Sequence, residues 1–296
     1  MKIVVITGST RGIGDALARF FLERGCGVVV SGRGETDVDA AVARHGVGSD
    51  RIFGQACDVT VPEQVQHLWD AAVDHFWRVD IWINNAGIAN GQGLLWEQDL
   101  AFFGRIAATN LAGTMTGSAV AIRGMLAQGG GAIYNMEGLG SDGRKVRGMT
   151  PYGATKRGMR YLDEALAEEV KGTSVIVGGI MPGIRGRRAT EADSKHRFPV
   201  LKSRPTEPGG PGANRGMVVT DMLLAGLEGP EAQVAQTRRI FTILADRLDD
   251  VAPWIVDRVL ANKKNGVLIR WLTTPIVAWR FLSSPFSKRD PLGTRG

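Results

Sequence analysis

MKIVVITGSTRGIG, residues 1–14, joins a short apolar run to a glycine-rich turn. The run predicts a buried strand over Lys2–Thr7, and the amphipathic segment that follows predicts a helix near 12–24. Glycines here let the backbone approach a pyrophosphate, which the free N–H groups of a helix N-terminus stabilise. A strand, a glycine loop and a helix in this order predict a dinucleotide-binding unit. The predicted cofactor-binding residues of this loop are Thr7, Gly8, Ser9, Thr10, Arg11, Gly12, Ile13 and Gly14.

The rest of the chain continues this alternation of apolar runs and helical segments. Further strands are predicted at Gly27–Ser31, Arg51–Ala56, Val79–Asn84, Gly131–Met136, Ser174–Ile180 and 266–270, and helices near 36–45, 62–77, 97–127, 151–171, 217–227 and 231–262. Pro62 suits a first helical turn, with Thr60 as its cap. Such alternation predicts an α/β fold, a Rossmann-like doubly wound parallel sheet, in a single domain over residues 1–296.

Two basic segments depart from the pattern. Residues 184–215 carry eight basic and three acidic side chains and four of the twelve prolines, and they predict a long flexible loop insert. The sequence on its two sides also reads smoothly when joined, so an artefact of the gene model is the alternative. Residues 262–296 carry seven basic and one acidic side chain, a basic C-terminal extension. The positive charge behind the net value of +6 is therefore concentrated in these two segments. This distribution argues against a nucleic-acid-binding surface that extends over the whole domain.

Composition restricts the compartment and the chemistry. The only two cysteines, Cys26 and Cys57, are far apart and lack metal-ligand spacing, so we expect no metal and a reducing compartment. No secretory signal or transit peptide is visible, and no run of about 18 apolar residues predicts a spanning helix. We expect a soluble protein of the cytoplasm or the plastid.

The end of the second strand bears on cofactor choice. An NAD site usually has a carboxylate there, whereas this chain has Ser31 and Arg33, with Arg11 nearby in the glycine loop. Two guanidinium groups can hold a 2′-phosphate, so we expect NADPH; the alternative is that Arg33 is a solvated charge. Asp58 and Val59 are placed for the adenine, although Asp58 is also a candidate helix cap. Asn85, Ala86 and Gly87 follow the fourth strand at the ligand-binding edge.

Tyr152 and Lys156 are the sharpest catalytic pair. They lie four residues apart on a predicted helix, so both project from one face. A tyrosine is a poor acid at neutral pH, and a neighbouring ammonium group stabilises its phenolate and lowers its pKa. This pair predicts proton transfer to a substrate oxygen.

Together these motifs resemble the short-chain dehydrogenase/reductase superfamily over residues 1–183, with the resemblance resuming at 216. The resemblance implies that Tyr152 donates the proton, that Lys156 holds the nicotinamide ribose, and that Asn110 anchors a relay water. It also implies cofactor contacts from Pro182 and from Thr220 in the segment Gly216–Thr220. The family's serine, thirteen residues before the tyrosine, is replaced by Leu139. Either Ser141 substitutes for it or the substrate oxygen is held otherwise.

The run N-M-E-G-L-G-S, residues 135–141, is similar to the chlorophyll b reductase family, as are residues 216–223 and 269–273. That resemblance implies NADPH-dependent reduction of the 7-formyl group of chlorophyll b or chlorophyllide b to hydroxymethyl. The glycine at 138 is expected to make room for a flat macrocycle. The insert departs from the family pattern at the substrate loops.

The tail and the long helices bear on partners. Aromatic and basic residues alternate in the tail: Arg270, Trp271, Trp279, Arg280, Phe281, Phe286, Lys288 and Arg289. Such a stripe lies on a membrane surface, borders an apolar pocket, or belongs to the core or a subunit interface. The superfamily resemblance implies a homo-oligomer through the helices near 97–127 and 151–171. Two alternative functions stay open: reduction of another apolar ketone or aldehyde, and an inactive NADP(H)-binding sensor or scaffold.

Overall fold

The structure is a computed structural model that describes residues 1–45, 50–90, 93–183 and 246–272, together with 279, 282 and 283. Its seven strands form one sheet in the order β3-β2-β1-β4-β5-β6-β7, and each neighbouring pair is parallel. They are β1 Ile3–Ile6, β2 Gly27–Gly32, β3 Ile52–Ala56, β4 Ile81–Asn84, β5 Gly131–Met136, β6 Val175–Met181 and β7 Val267–Arg270. The strand order reverses between β1 and β4, and ligands bind such sheets in the crevice at that point. The predicted Rossmann-like sheet is confirmed.

Helices cover both faces of this sheet. They are α1 Gly12–Glu23, α2 Glu35–His45, α3 Pro62–Phe76, α4 Leu100–Ala107, α5 Gly113–Ala127, α6 Thr150–Glu169 and α7 Leu248–Ala261. A 3₁₀ turn at Leu95–Glu97 precedes α4. The described part of the predicted helix near 231–262 is α7, whereas residues 184–215 and 217–227 lie outside the described residues.

A hydrophobic core lies on each face of the sheet, because successive side chains of a strand point to opposite faces. Val4 and Ile6 of β1 face the core formed with α1 and α7, whereas Val5 between them faces the core formed with α3 and α5. The strands are apolar on both faces because helices cover both of them. The sheet is therefore buried on both faces.

Two local predictions were wrong. The helix predicted near 97–127 is interrupted by a π-helical turn at Ala108–Ala112 between α4 and α5. Thr60 does not cap α3, because the residue before its first turn is Val61, which makes no side-chain capping bond. Thr60 instead donates from its backbone N and from Oγ1 to Asp58 Oδ1, at 2.9 and 2.7 Å.

The described part of the tail contributes to the core. Trp271 packs edge-on against Trp254 of α7, and its indole N–H donates to Asp246 Oδ2 at 2.6 Å. Trp279 is exposed. Phe281, Phe286 and the basic residues Arg280, Lys288 and Arg289 lie outside the described residues. For Trp271, the core alternative is the one the structure supports.

The cysteines and the helices bear on the predicted compartment. Cys26 and Cys57 are buried free thiols. Burial raises the pKa of both thiols, that of Cys57 to about 12. Within the described ranges, no helix is both long enough and apolar enough to cross a membrane.

Candidate active site

The glycine loop and the segment after β4 are locked together. Gly8 and Gly12 have positive φ angles, and a Cβ on Gly8 would lie 2.8 Å from the Cα of Ala86. Asn85 Nδ2 donates to the carbonyl oxygens of Thr7 and Gly8, at 2.9 and 2.8 Å. Thr7 Oγ1 accepts from the backbone N of Asn85 and of Ala86. These contacts fix the floor of the crevice between β1 and β4.

The N-terminus of α1 faces this floor. Arg11 precedes α1 with an extended backbone, and its side chain forms no capping bond to the described residues. The backbone N–H groups of the first turn of α1 are therefore not capped by a side chain. A Cβ on Gly14 would lie 2.5 Å from the Gly8 carbonyl oxygen and 2.6 Å from Asn85 Nδ2. Ile13 is buried in the core below. This cradle of glycines at a helix N-terminus fits the pyrophosphate of a dinucleotide.

Of the residues predicted to contact the adenosine end of the cofactor, some are exposed and others are buried. Arg11 and Arg33 are exposed. Ser9 is buried, where its Oγ donates to the Ile6 carbonyl at 2.7 Å and accepts from the Ser31 N at 2.9 Å. Ser31 is fully buried beside Cys57, so its hydroxyl is not presented to a 2′-phosphate, contrary to expectation. Side chains on a strand alternate between faces, and at Ser31 the alternation turns the hydroxyl inward.

The residues after β3 have local structural partners. Asp58 Oδ1 accepts from Thr60, and Val59 is buried where a Cβ on Gly113 of α5 would lie 3.0 Å from its carbonyl oxygen. Thr10 packs against Gly32 at the end of β2. Asp58 thus orders the turn that precedes α3. This structural role resembles the helix-capping alternative more than a free adenine-binding carboxylate.

The Tyr152–Lys156 pair lies on the first turns of α6. The backbone N of Tyr152 donates to Asn90 Oδ1 at 3.2 Å, and Asn90 Nδ2 donates to the Gly148 carbonyl at 2.8 Å. Lys156 Nζ lies 5.6 Å from the centre of the Tyr152 ring and donates to the Met136 carbonyl at 2.7 Å. Burial lowers the pKa of Lys156 to about 8, against the opposing effect of Glu137 and then of Asp163.

Asn110 lies inside the π-helical turn. Its Oδ1 accepts from the Ile88 N at 2.8 Å, and its Nδ2 donates to the Ile88 carbonyl at 2.8 Å and to Thr155 Oγ1 at 3.2 Å. Thr155 belongs to α6, as do Tyr152 and Lys156, so its hydrogen bond ties Asn110 to that helix. π-helical turns occur frequently at functional sites.

The surroundings of Gly138 and Ser141 differ from those expected from the sequence. A Cβ on Gly138 would clash with Tyr152 Oη and would lie 3.4 Å from Lys156 Cε. The tyrosine therefore fills the space next to Gly138. This differs from the expectation that the glycine leaves room for a flat macrocycle. Ser141 is fully buried, and its Oγ donates to the Gly138 carbonyl at 2.6 Å. This arrangement favours a substrate oxygen held otherwise than by Ser141.

Several residues with a place in the site were not predicted. Asn90 positions the backbone of Tyr152, and Asp163 extends the buried face of α6 that carries Tyr152 and Lys156. The signal for Asp163 was its spacing, since it follows Lys156 by two helical turns. Pro182 is buried just after β6, and Thr220 lies outside the described residues.

The parallel sheet, the glycine loop and the Tyr–Lys pair define a Rossmann-type oxidoreductase that uses a nicotinamide cofactor. The chain belongs to the short chain dehydrogenase family, whose model matches residues 2–197.

Its relatives include chlorophyll(ide) b reductases of plants. It is 31% identical over 299 residues to the probable chlorophyll(ide) b reductase NYC1 of Arabidopsis thaliana, covering 95% of this chain and 52% of that protein. It is 33% identical over 282 residues to the chlorophyll(ide) b reductase NOL of rice, Oryza sativa subsp. japonica, covering 91% and 71%. Both relatives are named chloroplastic. The chain thus spans about half the length of NYC1.

A solved structure supports the fold and the cofactor class. The closed form of serine dehydrogenase in complex with NADP+ superimposes with a TM-score of 0.58 and 27% identity, covering 62% of this chain and 73% of that one.

Proposed function

We propose that this protein reduces the 7-formyl group of chlorophyll b or chlorophyllide b to 7-hydroxymethyl with NADPH. The observation that carries the proposal is that Tyr152 Oη rests on Gly138, within the run that resembles chlorophyll b reductases. The relatives NYC1 and NOL, named as such reductases, support it. One hydride, which carries the two electrons, and one proton convert the aldehyde to the alcohol.

In this proposal Tyr152 supplies the proton, and Lys156 stabilises the phenolate that is left. When bound, NADPH supplies the hydride that forms the new C–H bond at the formyl carbon. Tyr152 Oη gives its proton to the formyl oxygen, and the ammonium group of Lys156 stabilises the phenolate that remains. Lys156 spends one of its three N–H donors on the Met136 carbonyl, which leaves two for the cofactor ribose. We assign Asn110 to the water that returns a proton to this site.

The cofactor preference follows from the exposed guanidinium groups. Arg11 and Arg33 are exposed beside the glycine cradle, and no carboxylate ends β2. Guanidinium groups bind phosphate through paired hydrogen bonds, so the 2′-phosphate of NADPH is favoured over the hydroxyl of NADH. The other assigned contacts are the backbone of Thr7, Ser9, Thr10 and Val59, with Asp58 at the adenine, the segment Asn85–Gly87 below the nicotinamide, and Pro182 and Thr220 above it.

An apolar substrate fits the surroundings of Tyr152. A cluster of Ala89, Ile106, Met149 and Tyr152 is flanked by the apolar side chains of Ile88, Phe102 and Leu139. Next to it lies an exposed apolar ledge, which we define as Leu95, Trp96 and Leu100. Gln98 Nε2 ties this ledge to the segment before Tyr152 through the Gly93 carbonyl at 2.6 Å and the Gly148 carbonyl at 3.4 Å. We propose that the ledge contacts the pigment or a membrane surface that carries it.

The organisation beyond the site also stays a proposal. We propose one domain over residues 1–296, with a basic insert at 184–215, which lies outside the described residues, and a basic extension at 262–296. We propose a homo-oligomer through α5 and α6, because Met115 and Tyr161 on these helices are large and exposed.

Tyr152→Phe tests the function. We expect purified protein with NADPH and chlorophyllide b to form the hydroxymethyl product, and the variant to lose at least ~100-fold in kcat while retaining NADPH binding. Pigment chromatography and cofactor fluorescence measure the two. Tyr161→Phe, an exposed tyrosine on the same helix, is the matched control and should keep full activity.

The other outcomes separate the alternatives. A wild-type protein that binds NADPH but leaves chlorophyllide b unchanged, yet reduces another apolar aldehyde or ketone in a Tyr152-dependent way, would replace the substrate. Cofactor binding without any Tyr152-dependent turnover would indicate a sensor or scaffold.

A further inference from the structure

Two buried carboxyl groups lie behind the catalytic lysine. Glu137 directly follows β5, and its side chain is 0% exposed. Asp163 lies on α6, two helical turns after Lys156, and is also buried. One oxygen of each has a firm partner: Arg160 Nη2 donates to Glu137 Oε2 at 2.8 Å, and Asn135 Nδ2 donates to Asp163 Oδ1 at 2.6 Å.

The other two oxygens converge on β6. A Cβ on Gly179 would lie 2.5 Å from Glu137 Oε1 and 2.8 Å from Asp163 Oδ2. Among the described residues, neither oxygen has a donor other than the facing carboxyl group. Two buried carboxylates that face each other at this range cannot both be ionised, so the pair holds one proton.

The partners decide which residue holds that proton. Glu137 is paired with the guanidinium of Arg160, which favours its ionised form, whereas Asp163 is bonded only to a neutral amide. The proton therefore belongs to Asp163, which donates it to Glu137. Burial, with Glu137 opposite, raises the pKa of Asp163 to about 8, although the Asn135 hydrogen bond opposes this rise.

The pair is connected to Lys156 through the backbone and through charge. Lys156 Nζ donates to the carbonyl of Met136, the residue that precedes Glu137. The negative charge of Glu137 raises the pKa of Lys156 against its burial, and Asp163 would add to this effect only when ionised. The ionisable groups of this region are Lys156, Arg160 and Asp163 from α6 and Glu137 after β5. The β7 side chain that lies against Gly179 is the apolar Leu268. On β6 the facing position is Gly179.

We propose that Glu137 and Asp163 form a carboxyl pair with a single shared proton, which positions Lys156 and keeps its ammonium group charged during the reduction proposed above. Neither residue contacts substrate; both act through Lys156. This assigns a role to Glu137, which lies in the run that resembles chlorophyll b reductases.

The first test is the pH dependence of turnover. The double variant Glu137→Gln/Asp163→Asn removes the one negative charge of the pair and keeps its shape, so the high-pH limb of the kcat profile should move to lower pH by about one unit or more. Glu137→Gln alone leaves Asp163 able to ionise in place of Glu137 and should move the limb less. Glu137→Asp keeps the charge, and Asp163→Asn replaces a neutral acid by a neutral amide, so neither should move the limb to lower pH. An unmoved limb in the double variant, with kcat lowered equally at every pH, would overturn the proposal.

The second test needs neither substrate nor cofactor. Native Asp163 keeps a proton that the unfolded chain releases, so wild-type stability should fall as pH rises from about 4 to about 8 and then level off. Asp163→Asn should lack this component, and its melting temperature should drop less between pH 5 and 8, by about 3 °C or more. Glu164→Gln, an exposed neighbour on α6, is the control and should melt like the wild type.

These measurements separate the two proposals. Failure to reduce chlorophyllide b would remove the proposed function, and the melting curves would still decide whether the proton is present. Identical pH dependence of melting in Asp163→Asn and wild type would remove the shared proton even if the pigment is reduced.

Discussion

At the scale of single residues, the environment of Tyr152 Oη is set by the absence of a side chain at position 138. The hydroxyl occupies the position that a Cβ of residue 138 would take. A side chain at position 138 would require Tyr152 Oη to move from its place near Lys156. Tyr152, the proposed proton donor, and the loop after β5 are therefore in close contact.

Gly138→Ala should displace Tyr152 and lower kcat by on the order of 100-fold, since small displacements of a catalytic group cost about that much. NADPH binding should persist, because the glycine cradle is elsewhere. Single-turnover kinetics and cofactor titration measure the two effects. Gly104→Ala on α4, where the added methyl group meets open space, is the control. Wild-type kcat in Gly138→Ala would show that the tyrosine tolerates the displacement.

Residue positions were predictable where spacing carried the information. The Tyr152–Lys156 spacing placed both residues on one buried face of α6. Ser31 and Ser141 could not be placed from the sequence, because only the folded chain buries their hydroxyl groups. The Ser141 hydroxyl donates to the Gly138 carbonyl. Asp163 was not identified because an isolated carboxylate on a helix is usually solvated.

At the scale of elements, the strands were predictable to within two residues at each end because buried parallel strands are continuous apolar runs. The interruption between α4 and α5 was not, because nothing in the local propensity of residues 108–112 opposes a regular helix. The π turn is accompanied by tertiary contacts, in which Asn110 bonds to both backbone groups of Ile88. Thr114 Oγ1 then donates to the Asn110 carbonyl at 2.9 Å.

Thr114→Val should weaken this turn without changing side-chain volume. It removes a buried hydrogen bond, so we expect a loss of about 1 kcal/mol in the free energy of unfolding and a lower kcat, because Asn110 is less firmly held. Denaturant titration and steady-state kinetics measure both, with Thr116→Val, which lies on the same helix, as control. A variant with lower stability and unchanged kcat would indicate that the turn serves the fold alone.

At the scale of the whole molecule, the predicted site residues come from separate elements that meet at the carboxyl edge of the sheet. The ledge lies near this edge, whereas exposed Trp77 ends α3 and leads toward the amino end of β4. Two exposed tryptophans thus lie toward opposite ends of the sheet, one near the site and one away from it.

Trp96→Ala should lower kcat/KM for the pigment by roughly 10-fold, since it removes an aromatic surface of the kind that contributes most to apolar contacts. The effect should be smaller for a short aldehyde substrate that the ledge does not reach. Trp77→Asn, chosen because asparagine accepts the positive φ at this position, should leave both values unchanged. Equal losses for both substrates in Trp96→Ala would argue against pigment contact at the ledge.

The two buried thiols offer a practical route to watching that contact. Cys26 and Cys57 are the only cysteines of the chain, and burial keeps both protonated at neutral pH. Thiol reagents react with the exposed thiolate, so the native chain should stay unlabelled by maleimide dyes. A single cysteine introduced at Leu95 would then be the one labelled position, and a fluorophore there would report pigment arrival by quenching, with no need to remove the native cysteines.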